Sequence, residues 1–215
     1  MIKAVLFDMD GLIFDTESVY KQSWKFAAKE QSLLLTDDFY QQFIGVQDTQ
    51  CEQILYSHCT EQIDIVQYIK VRNAHFSALR QQGISFKPGF DELFRVIKNL
   101  GLTTAIVTSS RLEDVQQNFR SSEYLNQFEL IITAEDVTRS KPKPDCYLLA
   151  CRKLSLDPKE CLVLEDSNHG INAALSAGCQ AIMIPDLLPP LAEFKDQIHI
   201  VTNLKDVIPY LEDAG

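Results

Sequence analysis

From about residue 90 the chain alternates short apolar runs with amphipathic stretches of about ten residues, and that rhythm leaves few folds open. Phe90 to Leu100 carries Leu93, Phe94, Ile97 and Leu100 at helical spacing and stops at Gly101, a residue favoured just past a helix end. Leu102 to Val107 has the pattern of a buried strand, and Ser110-Arg-Leu-Glu113 has the form of a capping box opening the next helix. Leu130 to Ile132 is a third strand, and Pro144 to Leu154 a helix with Tyr147, Leu148, Cys151 and Leu154 on one face. Cys161 to Leu164, a helix from Asn168 to Ala177 ended by Gly178, and Ala181 to Ile184 continue the series. The tail from Pro185 predicts a last strand at Ile198 to Val201 and a helix packed on the core. With a first apolar run from Lys3 to Phe7, the pattern predicts an α/β protein with a doubly wound parallel sheet.

Residues 15–84 break the rhythm. They hold almost no strand pattern and no proline, but several helical stretches rich in Gln, Lys and Glu. Trp24, Phe26, Ala27 and Ala28 suit an amphipathic first helix, and Lys87-Pro-Gly89 marks the return to the α/β pattern. The expected organisation is an α/β core from 1–14 and 85–215, with 15–84 as an all-helical insertion.

Composition limits the function. At 46% hydrophobic and 23% charged, the 215-residue chain can bury a substantial core. A formal charge of −10 argues against nucleic-acid or membrane-surface partners, because no basic stripe collects phosphates. The six cysteines show no Cys-x-x-Cys and no metal-like spacing, and Cys151 and Cys161 fall in apolar patterns as small core residues. The Met-Ile-Lys-Ala-Val-Leu start runs into acids within eight residues, unlike a signal peptide, so a reducing cytoplasm is the expected compartment, and the expected state is a monomer.

Ligands of open α/β sheets sit beyond the carboxyl ends of the strands. The first strand ends in Asp8-Met-Asp10-Gly and the second in Thr108-Ser109-Ser110. The loop after the third carries Lys141-Pro-Lys-Pro-Asp145, and the fourth ends in Glu165-Asp166-Ser-Asn. A carboxylate can attack phosphorus, and a second nearby can protonate the leaving alcohol and later deprotonate water. Asp8, Asp10, Glu165 and Asp166 would repel one another without a hard cation, and Mg²⁺, which takes oxygen ligands, fits. Thr108, Ser109 and Ser110 offer hydroxyls and backbone N–H groups to a phosphate ahead of a helix, and Lys141 balances the excess negative charge.

Singly, each piece has a plainer reading as a turn, a cap or a solvated lysine. In order at successive strand ends, they resemble the haloacid dehalogenase-like superfamily across essentially the whole chain, and the inserted helices resemble the cap of its β-phosphoglucomutase branch. The resemblance implies Asp8 as nucleophile, Asp10 as general acid and base, and Thr108 and Lys141 as catalytic partners. It implies Mg²⁺ held by the side chains of Asp8 and Asp166 and the main-chain carbonyl of Asp10, with Glu165 a supporting or direct ligand. It also implies a cap that closes over the substrate and excludes water.

The second acid, Asp10, is absent from the metal-free dehalogenases of the superfamily, and Lys21 and Lys25 lack the context of a Schiff-base lysine. The mutase pattern has a histidine where this chain has Tyr20, and an arginine after Gly-Val where this chain reads Gly45-Val46-Gln47-Asp48. The expected reaction is hydrolysis of a small phosphorylated substrate, a sugar or polyol phosphate, with Tyr20, Gln47, Asp48, Lys70 and Arg72 as candidate selectivity residues. A sugar phosphomutase and a non-catalytic phospholigand-binding protein are the alternatives.

Overall fold

The computed structural model describes residues 1–44, 48–59 and 63–212, so Gln47 lies outside the described residues. In chain order, β1 (Ala4–Phe7) is followed by α1 (Thr16–Glu30), α2 (Asp37–Tyr40), α3 (Asp48–His58) and α4 (Ile65–Gln82). Then come α5 (Phe90–Asn99), β2 (Thr103–Val107), α6 (Leu112–Phe119), β3 (Leu130–Ile132), α7 (Asp145–Leu154) and β4 (Cys161–Glu165). The chain ends with α8 (Asn168–Ala177), β5 (Gln180–Met183), β6 (His199–Ile200) and α9 (Ile208–Glu212). Two compact units result, Met1–Asp15 with Ser85–Gly215, and Thr16–Ile84.

The first unit is built on a parallel sheet in the order β3-β2-β1-β4-β5-β6. Strand order reverses at β1, between β2 and β4, so the crevice at their carboxyl ends is where a doubly wound sheet binds ligand. Period-two alternation divides β1: Ala4 and Leu6 join the cluster of Val107, Cys151, Val163 and Ile171, while Phe7 meets Phe90, Phe94 and Phe128. Both faces are thus covered, which explains why the strands read as continuous apolar runs.

Three local expectations are corrected. Leu148 is 42% exposed, because Tyr147, Ala150 and Cys151 form the buried stripe of α7 and Leu148 sits a third of a turn away. The last strand shrinks to His199–Ile200, since the ladder is short at this sheet edge, although Val201 N–H still reaches the Met183 carbonyl. Ser110 is not the N-cap of α6. Arg111 holds that position, with its N–H donated to Asp114 at 3.3 Å.

The second unit is helical, with a core of Trp24, Ala27, Ala28, Tyr40, Phe43, Leu55 and Tyr68. The Tyr68 hydroxyl donates to the Trp24 carbonyl at 2.6 Å, tying α4 to α1. Phe26 departs from the expected buried face. It is 39% exposed, with its ring stacked on His75 at 4.0 Å. Among the described residues no helix is long and apolar enough to cross a membrane.

Candidate active site

The sheet places the acids by ending β1 in a tight loop. Asp8 N–H donates to the Leu164 carbonyl at 3.0 Å, one last bond to β4, and the chain then turns back through Met9 to Phe14. Gly11 N–H donates to Phe14 O at 2.9 Å and Ile13 N–H to Met9 O at 2.9 Å. Gly11 adopts φ +81°, and a side chain there would stand 2.5 Å from Asp166 Oδ2. Glycine therefore satisfies both a left-handed turn and the close approach of the β4 loop.

Lys141 is the hub. Its ammonium donates to Asp8 Oδ1 at 2.6 Å, Glu165 Oε1 at 2.6 Å and the Val107 carbonyl at 2.9 Å, which uses all three N–H groups. Its side chain is only 7% exposed, not solvated, so one cation joins the ends of β1, β2 and β4. Glu165 is fully buried. Its Oε1 also accepts from the Tyr147 hydroxyl at 2.9 Å, and its Oε2 accepts from Ser167 N–H at 3.2 Å and Ser167 Oγ at 3.0 Å. Ser167 in turn caps α8, accepting from Gly170 N–H at 3.0 Å.

The other candidates surround this hub. The Ser110 hydroxyl donates to Asp10 Oδ2 at 2.5 Å, a contact between residues 100 positions apart. Thr108 is buried, and its hydroxyl oxygen accepts from Ser110 N–H at 3.0 Å, while Ser109 is exposed. Tyr20 belongs to the helical unit, where its hydroxyl donates to Asp48 at 2.5 Å. Burial and then the Asp48 carboxylate raise that phenol above its ordinary range. Arg72 is not a surface cation. Its guanidinium is buried over Trp24 at 4.5 Å and paired with Glu52 at 3.1 Å and Asp48 at 3.4 Å.

Asp8, Glu165 and Asp166 each present a carboxylate oxygen within 4.8 Å of the others, an arrangement that can hold a metal ion. Burial pushes the Asp8 carboxyl up to about 8; Lys141 opposes the shift, and Glu165 and Asp10 add to it. Burial also disfavours the Lys141 ammonium, but Asp8 and Glu165 outweigh it and lift its pKa well above the ordinary lysine value. Two carboxylates beside one lysine thus resist carrying full charge together, and an all-oxygen donor set suits a hard divalent cation. Glu165 already accepts four hydrogen bonds, so Asp8 and Asp166 are the better placed direct ligands.

Sequence patterns did not single out two participants. Tyr147 reads from its spacing as a core residue of α7, and its hydroxyl contact with Glu165 spans two elements. Asp186 follows β5 and accepts from Lys87 Nζ at 2.6 Å; its Oδ2 would lie 3.2 Å from a side chain at Gly11, so it backs the loop that follows Asp8. The only local signal for either was position near a strand end or beside the KPKPD motif.

Comparison with known proteins agrees with this geometry. The model of the haloacid dehalogenase-like hydrolases matches residues 5–184. Hexitol phosphatase A of Escherichia coli is 31% identical, covering 94% of this chain and 93% of its own. A phosphorylated carbohydrates phosphatase of Thermotoga maritima is 26% identical over 84% of each chain. The crystal structure of CbbY from Rhodobacter sphaeroides in complex with phosphate superposes with a TM-score of 0.73, at 25% identity over 96% of each chain. With its motifs assembled at the carboxyl ends of β1, β2 and β4, the chain belongs to the haloacid dehalogenase-like hydrolase family.

Proposed function

We propose that the chain is a Mg²⁺-dependent phosphatase that hydrolyses a small sugar or polyol phosphate through an aspartyl-phosphate on Asp8. The observation that carries this reading is the buried Asp8 carboxylate at the strand end, gripped by Lys141, with Asp10 two residues on and bonded to Ser110. An Asp8 oxygen attacks phosphorus and the bond to the substrate alkoxide breaks, with Asp10 supplying the proton to that oxygen. Asp10 then takes a proton from water as the water oxygen attacks phosphorus, and Asp8 is released. Ser110 holds Asp10 in place for both transfers, and Thr108 and Ser109 stand ahead of α6 to bind phosphoryl oxygens.

Asp8, Asp166 and the main-chain carbonyl of Asp10 would hold Mg²⁺, which neutralises phosphoryl charge when bound. The carbohydrate and hexitol phosphatase relatives support the substrate class. Arg72, already neutralised by Asp48 and Glu52, is a poor hold for a second phosphate, which favours hydrolysis over a mutase.

The test is phosphate release with Mg²⁺ across phosphorylated sugars, polyols and nucleotides, with Asp8→Asn as the blank. Release confined to the parent supports the reading; none from folded, Mg²⁺-loaded protein sinks it. A pH dependence follows too. Because burial holds a proton on Asp8 up to about pH 8, the cation must displace it. Mg²⁺ affinity, measured calorimetrically, is therefore expected to rise as pH approaches 8, with proton release that shrinks over the same range. A pH-independent affinity would remove Asp8 from the ligand set.

A further inference from the structure

The donors around Glu165 point to a positioning residue outside the sequence motifs. We propose that Tyr147 positions the nucleophile through Glu165 and Lys141, an inference that rests on the phosphatase reading above. Tyr147 is completely buried in α7, beside the cysteines of the same helix. A tyrosine ring filling core space needs no hydroxyl, and phenylalanine would fill the same volume. The hydroxyl is nevertheless spent on Glu165 Oε1 at 2.9 Å, the oxygen that Lys141 grips at 2.6 Å.

The Lys141 ammonium also lies 5.1 Å from the centre of the Tyr147 ring, so the same side chain touches both ends of the ion pair. With Ser167 supplying both donors to Oε2, the carboxylate can neither rotate nor shift without losing a bond. The fixed carboxylate fixes the ammonium, and the ammonium fixes Asp8 Oδ1 at 2.6 Å. Position matters here because all three N–H groups of Lys141 are engaged, on Asp8, Val107 O and Glu165, so a shift of Glu165 draws the ammonium away from the geometry that meets Asp8 Oδ1. Glu165 thus acts as a fixed counter-ion, and Tyr147 supplies the bond that side-chain packing alone does not provide.

The test is Tyr147→Phe, which keeps the ring and removes one oxygen. The expected result is a kcat lowered about 10-fold, the low end for loss of a supporting hydrogen bond around a reactive group, with KM unchanged. The melting temperature should stay close to that of the parent. Combining Tyr147→Phe with Glu165→Gln should show a penalty well below the product of the two single effects, because both act on one contact. A kcat within twofold of the parent overturns the inference, as do independent, multiplicative penalties or a kcat loss matched by loss of folded protein. Parent turnover that depends on Asp8 tests the phosphatase reading separately, so the two failures are distinguishable.

Discussion

Asp8→Asn is expected to abolish phosphate release, by more than about 10³-fold, while leaving the metal-free protein as stable as the parent or more so. The amide keeps the shape of the carboxylate but cannot attack phosphorus. Stability should not suffer, because burial disfavours the charged form of Asp8, whose carboxyl is raised to about 8. The sign follows from proton counting. Between the unperturbed carboxylate value and about pH 8 the folded state binds a proton at Asp8 that the unfolded state has lost. Metal-free parent should therefore lose stability as pH rises through that window, whereas the melting temperature of the asparagine variant should vary less with pH. Thermal melts over this pH range, beside phosphate assays, check both. Full turnover in the variant would move the nucleophile elsewhere, and a steep fall of its melting temperature would show that the carboxylate is a structural ion.

Gly170→Ala should be the most damaging single methyl group in the core. A side-chain carbon at Gly170 would lie 1.8 Å from the Glu165 carboxyl carbon and 1.8 Å from Oε1. Neither neighbour has room to yield, since Glu165 is fully buried and bonded to Lys141, Tyr147 and Ser167. Displacing the carboxylate takes from the Lys141 ammonium its ionised partner, since Asp8 holds a proton up to about pH 8, and strands a buried charge. Breaking such a pair costs about 3–5 kcal/mol. Denaturant unfolding should show a loss of that order, and the folded fraction should turn over slowly because Lys141 loses an anchor. A loss below about 1 kcal/mol would mean that α8 shifts to accommodate the methyl group and that the packing is softer than the contacts imply.

The sheet was legible because its central strands β1, β2 and β4 are buried on both faces, so their apolar runs stand out, and because acids at the ends of β1 and β4 contradict burial without a partner. The contacts that complete the site were hidden because they join distant positions. Lys141 to Asp8 spans 133 residues and Ser110 to Asp10 spans 100, and no local pattern encodes either. Ser110 misled for a physical reason. A serine ahead of Leu112 has the chemistry of a helix cap, but the stronger acceptor across the crevice, Asp10, takes its hydroxyl and Arg111 becomes the cap residue. Tyr147 was invisible because helical spacing reports that a face is buried, not that a hydroxyl on it is engaged.

The neck between β1 and α5 has a consequence for how such a chain can diversify. Asp15 N–H donates to Ser85 O at 3.0 Å, Lys87 N–H donates to Ile13 O at 2.8 Å, and the Phe14 ring stacks on Phe86 at 4.8 Å. The departing and returning strands are thus paired where the helical unit leaves the α/β unit, whatever lies between them. Because the cost of closing a loop grows only slowly with its length, inserts of different size can be exchanged at this joint with little penalty to the sheet. Replacement of Thr16–Ile84 would therefore leave Asp8, Asp10, Glu165 and Asp166 on the unaltered α/β scaffold.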